Sequence, residues 1–305
     1  MKSSPIRLVA IPALRLGQIG GSEDQFDVFR AGDPITIHVY VHNVNSPVSF
    51  KPAEEALGMV CILAHIRNPF IVWFAFICGP DTEFHLAMPF MIAGELRRLI
   101  DEYGSYPFKH IRFLAAEIVC ALESLHDPSF VLKDESWNFN IYLDLQGHIL
   151  LSDFGFVDLK LVDTQNDEHS GGEEPFLDPT VLGGDLRYIP PEIILGKGSY
   201  GPSADWWKFG VVLYELIAKF NPFINYAGDD EADQGHEDNN EDDQQYLENC
   251  RRIVNEPVSF PGPESFPPVA QDLVSRLLMK DPQERLSTHD VHEIKAHPFF
   301  RDVLD

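Results

Sequence analysis

Leu132-Lys133-Asp134-Glu135-Ser136-Trp137-Asn138-Phe139-Asn140-Ile141-Tyr142-Leu143-Asp144, followed shortly by Leu151-Ser152-Asp153-Phe154-Gly155, decides the fold of this chain. Ile141-Tyr142-Leu143 and Ile149-Leu150-Leu151 are short strand-like runs, and Asp144-Leu145-Gln146-Gly147 supplies the turn between them. Upstream, Ile111, Leu114, Ala115, Ile118, Val119, Leu122 and Leu125 form one stripe, which predicts an amphipathic helix over Phe108 to His126. Downstream, the same period predicts helices over Trp206 to Ala218 and Val269 to Met279. The first third differs: Ile35–Val41, Ile71–Ile77 and Phe84–Met88 are β-branched or aromatic runs, and Pro52 to Ile66 has helical spacing. The expected fold class is α+β, with two lobes: a small strand-rich lobe, a larger helical one and a crevice between them.

The whole chain has 305 residues, 48 acidic and 23 basic side chains, and a formal net charge of −25. That charge argues against a nucleic-acid partner, which needs a basic footprint, and against an anionic membrane surface. The apolar run Phe70 to Cys78 is about half of what a bilayer requires, so no membrane insertion is expected. Leu8 to Leu14 is broken by Pro12 and lacks a small-residue cleavage site, unlike a secretory signal. The four cysteines, Cys61, Cys78, Cys120 and Cys250, are scattered, as in reduced proteins of an intracellular, cytoplasmic compartment. Residues 227–245 are acidic and almost free of apolar side chains, and are expected to form a disordered insertion.

Further elements follow in order: Tyr188-Ile-Pro190-Pro191-Glu192, Asp205-Trp206-Trp207-Lys-Phe-Gly210, Lys280-Asp281-Pro282-Gln-Glu-Arg285-Leu286 and His297-Pro-Phe-Phe300. Together with the opening stretch they resemble the protein kinases. The tryptophan pair and the His-Pro-Phe-Phe ending resemble the AGC group of serine/threonine kinases. The resemblance runs from about residue 16 to the C-terminus, with a kinase-like domain over 16–300, an N-lobe over about 16–88 and a C-lobe over about 92–300.

The resemblance implies a Mg-ATP site. Asp153 and Asn140 match the magnesium ligands, and their oxygens suit a hard cation. Asp134 matches the base that accepts the substrate hydroxyl proton. The stretch from Asp134 to Asn140 is one residue longer than the family's spacing, and Ser136 replaces its lysine. An error of about 1 Å in such a base costs about a hundredfold in rate. Met88 and Phe90 match hinge residues around Pro89, which removes one backbone donor. Glu95 matches the ribose-facing acid. Tyr142 replaces the leucine beneath adenine, where a phenol ring either stacks on a base or fills the pocket. Glu192 and Arg285 match a pair that ties the activation segment to the helical lobe, and Asp205 matches the acid that anchors the catalytic loop. Leu63, Phe154 and Leu132, with Asp205, match the column that links the lobes. Thr180 aligns with the activation-loop phosphosite and Lys133 with the base that holds its phosphate, whereas Asp185 replaces the threonine before Pro-Pro-Glu.

The triphosphate end departs from the family. His38 stands where the β3 lysine belongs, and a neutral imidazole has neither lysine's fixed charge nor its reach. Met59 holds the helix-C glutamate position, with Glu54 and Glu55 about one turn away. Leu16-Gly17-Gln-Ile-Gly20-Gly21 lacks the phosphate-loop spacing, and Glu23, Asp24 and Asp27 put negative charge beside it. The C-terminal tail of the AGC group is not recognisable after Arg301. The elements that brace the large lobe are kept and those that clamp the triphosphate are degraded. The expectation is a catalytically impaired pseudokinase that acts through a protein partner. The alternative is an atypical ATP- and magnesium-dependent kinase acting on protein serine or threonine; a decayed homologue with no selected role also fits.

Overall fold

The computed structural model describes residues 25–29, 36–42, 66–72, 75–78, 84–89, 95–96, 106–126, 141–144, 146–151, 185–197, 201–224, 239–286 and 290–303. Strands β1 (Gln25–Phe29), β2 (Thr36–His42), β3 (Ala75–Cys78) and β4 (Phe84–Pro89) form an antiparallel sheet in the order β1-β2-β4-β3. β2 lies one residue later than expected. Of the run Ile71–Ile77, the described sheet strand takes in Ala75–Ile77, and Ile71 makes an isolated parallel bridge to Leu151. β1 was not expected; its single alternation of polar and apolar residues is too short to define a period.

Helix α1 (Phe108–His126) occupies the residues its stripe predicted. It buries Ile111, Leu114, Ile118, Leu122 and Leu125 against the main core. β5 (Ile141–Leu143) and β6 (Ile149–Leu151) form the expected hairpin, with Gly147 at φ 85° in its turn. Only glycine enters that region without strain. Glu117 of α1 accepts the Ile149 N–H at 2.9 Å and a hydrogen bond from the His148 ring, which fixes the hairpin on the helix. The strand-rich part joins here as well: Val72 N–H donates to Leu151 O at 2.9 Å, and Leu151 N–H to Phe70 O at 2.8 Å.

Helix α2 (Pro202–Ala218) is the centre of the helical lobe. Gly201 caps it and Pro202 opens it, where the missing N–H costs nothing. Every residue from Ala204 to Leu216 is buried, so the helix has no wet face. Helix α3 (Asn239–Asn255) corrects the expected insertion, whose residues 239–245 are helical. Its second half explains why: Cys250 and Ile253 are buried, and Tyr246 and Val254 pack on the core. That apolar stripe anchors an acidic first half that has none of its own. Helix α4 (Pro268–Leu277) packs across α2, and short helical turns at His292–Lys295 and Pro298–Phe300 complete the lobe. Arg112 of α1 donates to Phe299 O at 2.6 Å and to Arg301 O, and Lys295 pairs with Glu123.

The α2–α4 crossing depends on Gly210. A Cβ there would lie 2.9 Å from both Leu277 Cβ and Leu278 Cδ2. Gly210→Ala is expected to lower unfolding stability by ~1–3 kcal/mol, the usual cost of overpacking, read as a shift of the urea midpoint at unchanged slope.

Candidate functional site

Of the residues expected to line the crevice, Tyr142 and Glu95 meet where the β5–β6 hairpin is bridged by the chain after β4. Along β5, Ile141 and Leu143 are buried in the core and Tyr142 takes the opposite face. Its cross-strand partner Leu150 lies on that face too, and both pack on Val72. Glu95 forms an isolated antiparallel bridge with Tyr142, and the Tyr142 hydroxyl donates to Glu95 Oε1 at 3.4 Å. Two residues expected at the nucleotide site are thus in contact.

His38 and Met88 are also brought together, by register. They are opposite one another on β2 and β4, and Asp27 on β1 is opposite His38 on its other side. Strand β2, Thr36–His42, contains no lysine. Asp134, Asn140, Asp153, Phe90, Thr180 and Lys133 lie outside the described residues, as do Glu54, Glu55, Met59, Leu63, Leu132 and Phe154.

In the helical lobe the bracing residues form two charged clusters. Arg285 donates from both terminal nitrogens to Glu192, at 2.7 and 2.9 Å, to Ser203 O at 2.8 Å and from Nε to Met279 O at 3.1 Å. Its side chain is 0% exposed and that of Glu192 7%. The guanidinium also lies 5.2 Å from the centroid of the Trp207 ring. A buried pair with this many partners is worth most by comparison with its broken form, in which one charge is left alone.

The second cluster surrounds Asp205, whose side chain is 0% exposed. His126 Nε2 donates to its Oδ2 at 2.9 Å, and Lys208 Nζ is 3.7 Å from Oδ1. Sequence reading missed His126, because nothing local marks the end of an amphipathic helix as the partner of an acid 79 positions later. Asp185 accepts from the Arg187 N–H at 3.1 Å and pairs with its guanidinium. That pairing, with burial opposing it, holds the Arg187 pKa above its ordinary value. Tyr188 donates to the buried Glu215, which also accepts from Asn221 Nδ2 at 3.0 Å.

Lys280 extends the Trp207 side of this brace. Its ammonium donates to Ile253 O and lies 3.9 Å from the Phe223 centroid and 5.0 Å from that of Trp207. These two rings are stacked at 5.5 Å. Burial, then the Arg285 charge, push Lys280 down to about 7, with Glu256 acting the other way.

The sequence model for the protein kinase domain matches residues 42–300, and the chain belongs to that family. The match takes in Met88, Glu95, the Asp134–Gly155 stretch and the His-Pro-Phe-Phe motif. It begins after His38, whereas the resemblance was expected from about residue 16. The chain is 35% identical over 256 residues to the serine/threonine protein kinase ypkA of Aspergillus fumigatus, covering 84% of this chain and 35% of that protein. It is 32% identical to the serine/threonine-protein kinase gad8 of Schizosaccharomyces pombe, over 84% of this chain and 39% of that protein. It is 31% identical to ribosomal protein S6 kinase alpha-4 of Mus musculus, over 83% of this chain and 30% of that protein. These are AGC-type serine/threonine kinases, and the chain spans about a third of their length.

Two outcomes test the brace. Arg285→Met is expected to destabilise by ~3–5 kcal/mol by leaving Glu192 buried and unpaired, measured by urea unfolding. For Lys280, an unfolded lysine titrates near ~10.4. Between about 7 and 10 the unfolded chain therefore holds a proton that the folded chain has lost, and stability rises with pH across that window. Unfolding curves at several pH values in this window should show that rise in the wild type and a shallower one in Lys280→Met.

Proposed function

We propose that this chain is an AGC-type serine/threonine kinase domain whose own phosphotransfer is impaired and which works by binding and regulating a protein partner. What carries this is strand β2. It pairs with β4, the strand that leads into the hinge, and it has His38 opposite Met88 but no lysine. Without a fixed cation there, nothing on that strand neutralises a triphosphate. Met59 at the helix-C position and the acids Glu23, Asp24 and Asp27 act in the same direction. The kinase-like domain extends over 16–300, and the partner is met inside the cell, in keeping with Cys120 and Cys250 as free thiols. None of the described helices is long and apolar enough to cross a membrane.

A second reading is favoured by the relatives, all three named as kinases, and by the oxygen-bearing set Asp134, Asn140 and Asp153. Asp153 and Asn140 are suited by donor type to hold magnesium, which would neutralise phosphate charge. Asp134 would accept the proton of a protein serine or threonine hydroxyl as that oxygen attacks the γ-phosphorus and ADP leaves.

A thermal-shift titration with ATP, with and without magnesium, on the wild type and Asp153→Ala separates the two. A ligand at ~100 times its Kd stabilises a fold by ~2.7 kcal/mol. The expected outcome is no magnesium-dependent shift at millimolar ATP and no radiolabel transfer to protein substrates. Transfer that is abolished by Asp134→Ala would establish the second reading instead.

A further inference from the structure

We propose that Tyr142 is a built-in plug of the nucleotide cleft: its ring occupies the adenine end, its hydroxyl engages Glu95, and the chain's own side chain must leave before a nucleoside can enter. This rests on the family position of Tyr142 and Glu95, and it deepens the proposed function by adding a second barrier, independent of the phosphate clamp.

The geometry starts with strand alternation. β5 and β6 each bury their outer residues and leave the middle one on the other face. Tyr142 and Leu150 are those middle residues and are paired across the hairpin. They cover Val72, which is 1% exposed and lies in a small apolar cluster separate from the main core. Val72 is therefore covered on this face by the Tyr142 ring and Leu150. On the other side, the bridge to Glu95 brings that carboxylate within 3.4 Å of the Tyr142 hydroxyl. The acid expected to face a ribose is thus turned towards a phenol. A leucine, the residue implied for this position, has no hydroxyl to reach Glu95.

Ring and hydroxyl do not contribute equally. At 3.4 Å the hydrogen bond is long and weak. An ordinary one shifts an equilibrium by about two- to tenfold, and this one is expected to fall at the low end. The ring's occupancy of the site is the larger effect. If the closed arrangement holds in ~90% or more of molecules, apparent affinity falls about tenfold or more.

Adenosine is the probe, because it carries no phosphate and so does not depend on the region around His38. Calorimetric titration of the full chain is expected to show no saturation of the wild type at about 1 mM. Tyr142→Leu should bind about tenfold or more tightly than the wild type, and Tyr142→Phe should stay within about threefold of it. Tyr142→Met repeats the comparison should the leucine variant fail to fold, and melting curves check both. A wild type that saturates with adenosine at micromolar concentration overturns the proposal whatever the variants do. Binding weaker in Tyr142→Leu than in the wild type also overturns it, since the ring would then be a stacking platform. Phosphotransfer by the wild type sinks the proposed function, whereas the plug stands or falls on the adenosine comparison alone.

Discussion

Helix α2 has no face in water, and that constraint organises the helical lobe. A helix buried from Ala204 to Leu216 must still carry Asp205, Lys208 and Glu215. A charge taken out of water is tolerated only with partners around it. Asp205 has His126 from α1 and Lys208 from its own helix. Glu215 has Tyr188 and Asn221, and Asn221 in turn accepts the Phe223 and Ile224 N–H groups at 3.0 Å. Asp205 and Glu215 thereby fasten different neighbouring segments to the centre.

The Trp207 ring carries this arrangement to the surface of α2. Phe223 stacks on it, and Lys280 and Arg285 lie over the aromatic pair. Arg285 then reaches Glu192, so the short helix Pro191–Ile194 is fastened to this side of α2. None of these contacts uses a nucleotide. A kinase fold can therefore keep its helical lobe while the residues that handle phosphate change.

Periodicity made α1 legible, because its stripe is uninterrupted over 19 residues. The hairpin was legible from its turn, and the two lobes from the change of pattern along the chain. Helix α3 was not, since Glu241, Asp242 and Asp243 hid a helix whose anchors, Cys250 and Ile253, come later. Pairs such as Glu192 with Arg285 are 93 positions apart, and only family resemblance suggested them. His126 with Asp205 had no such guide. Tyr142 marks the limit most clearly. Family resemblance gave it an expected place beneath adenine, but three residues of strand define no period, and nothing in the sequence says that a phenol at 142 meets a carboxylate at 95.

The clasp of Arg112 on Phe299 O and Arg301 O joins positions 187 and 189 residues apart. Its consequence concerns synthesis. At ~5–20 residues per second, a ribosome takes about 10–40 s to travel from one side of the clasp to the other. Throughout that interval α1 exists as a nascent amphipathic helix with part of its final packing surface not yet made. Contacts closed over such distances are slow to form and leave apolar surface exposed meanwhile. The face of α1 that meets the His-Pro-Phe-Phe turn therefore stays open from the emergence of the helix until that turn has been made.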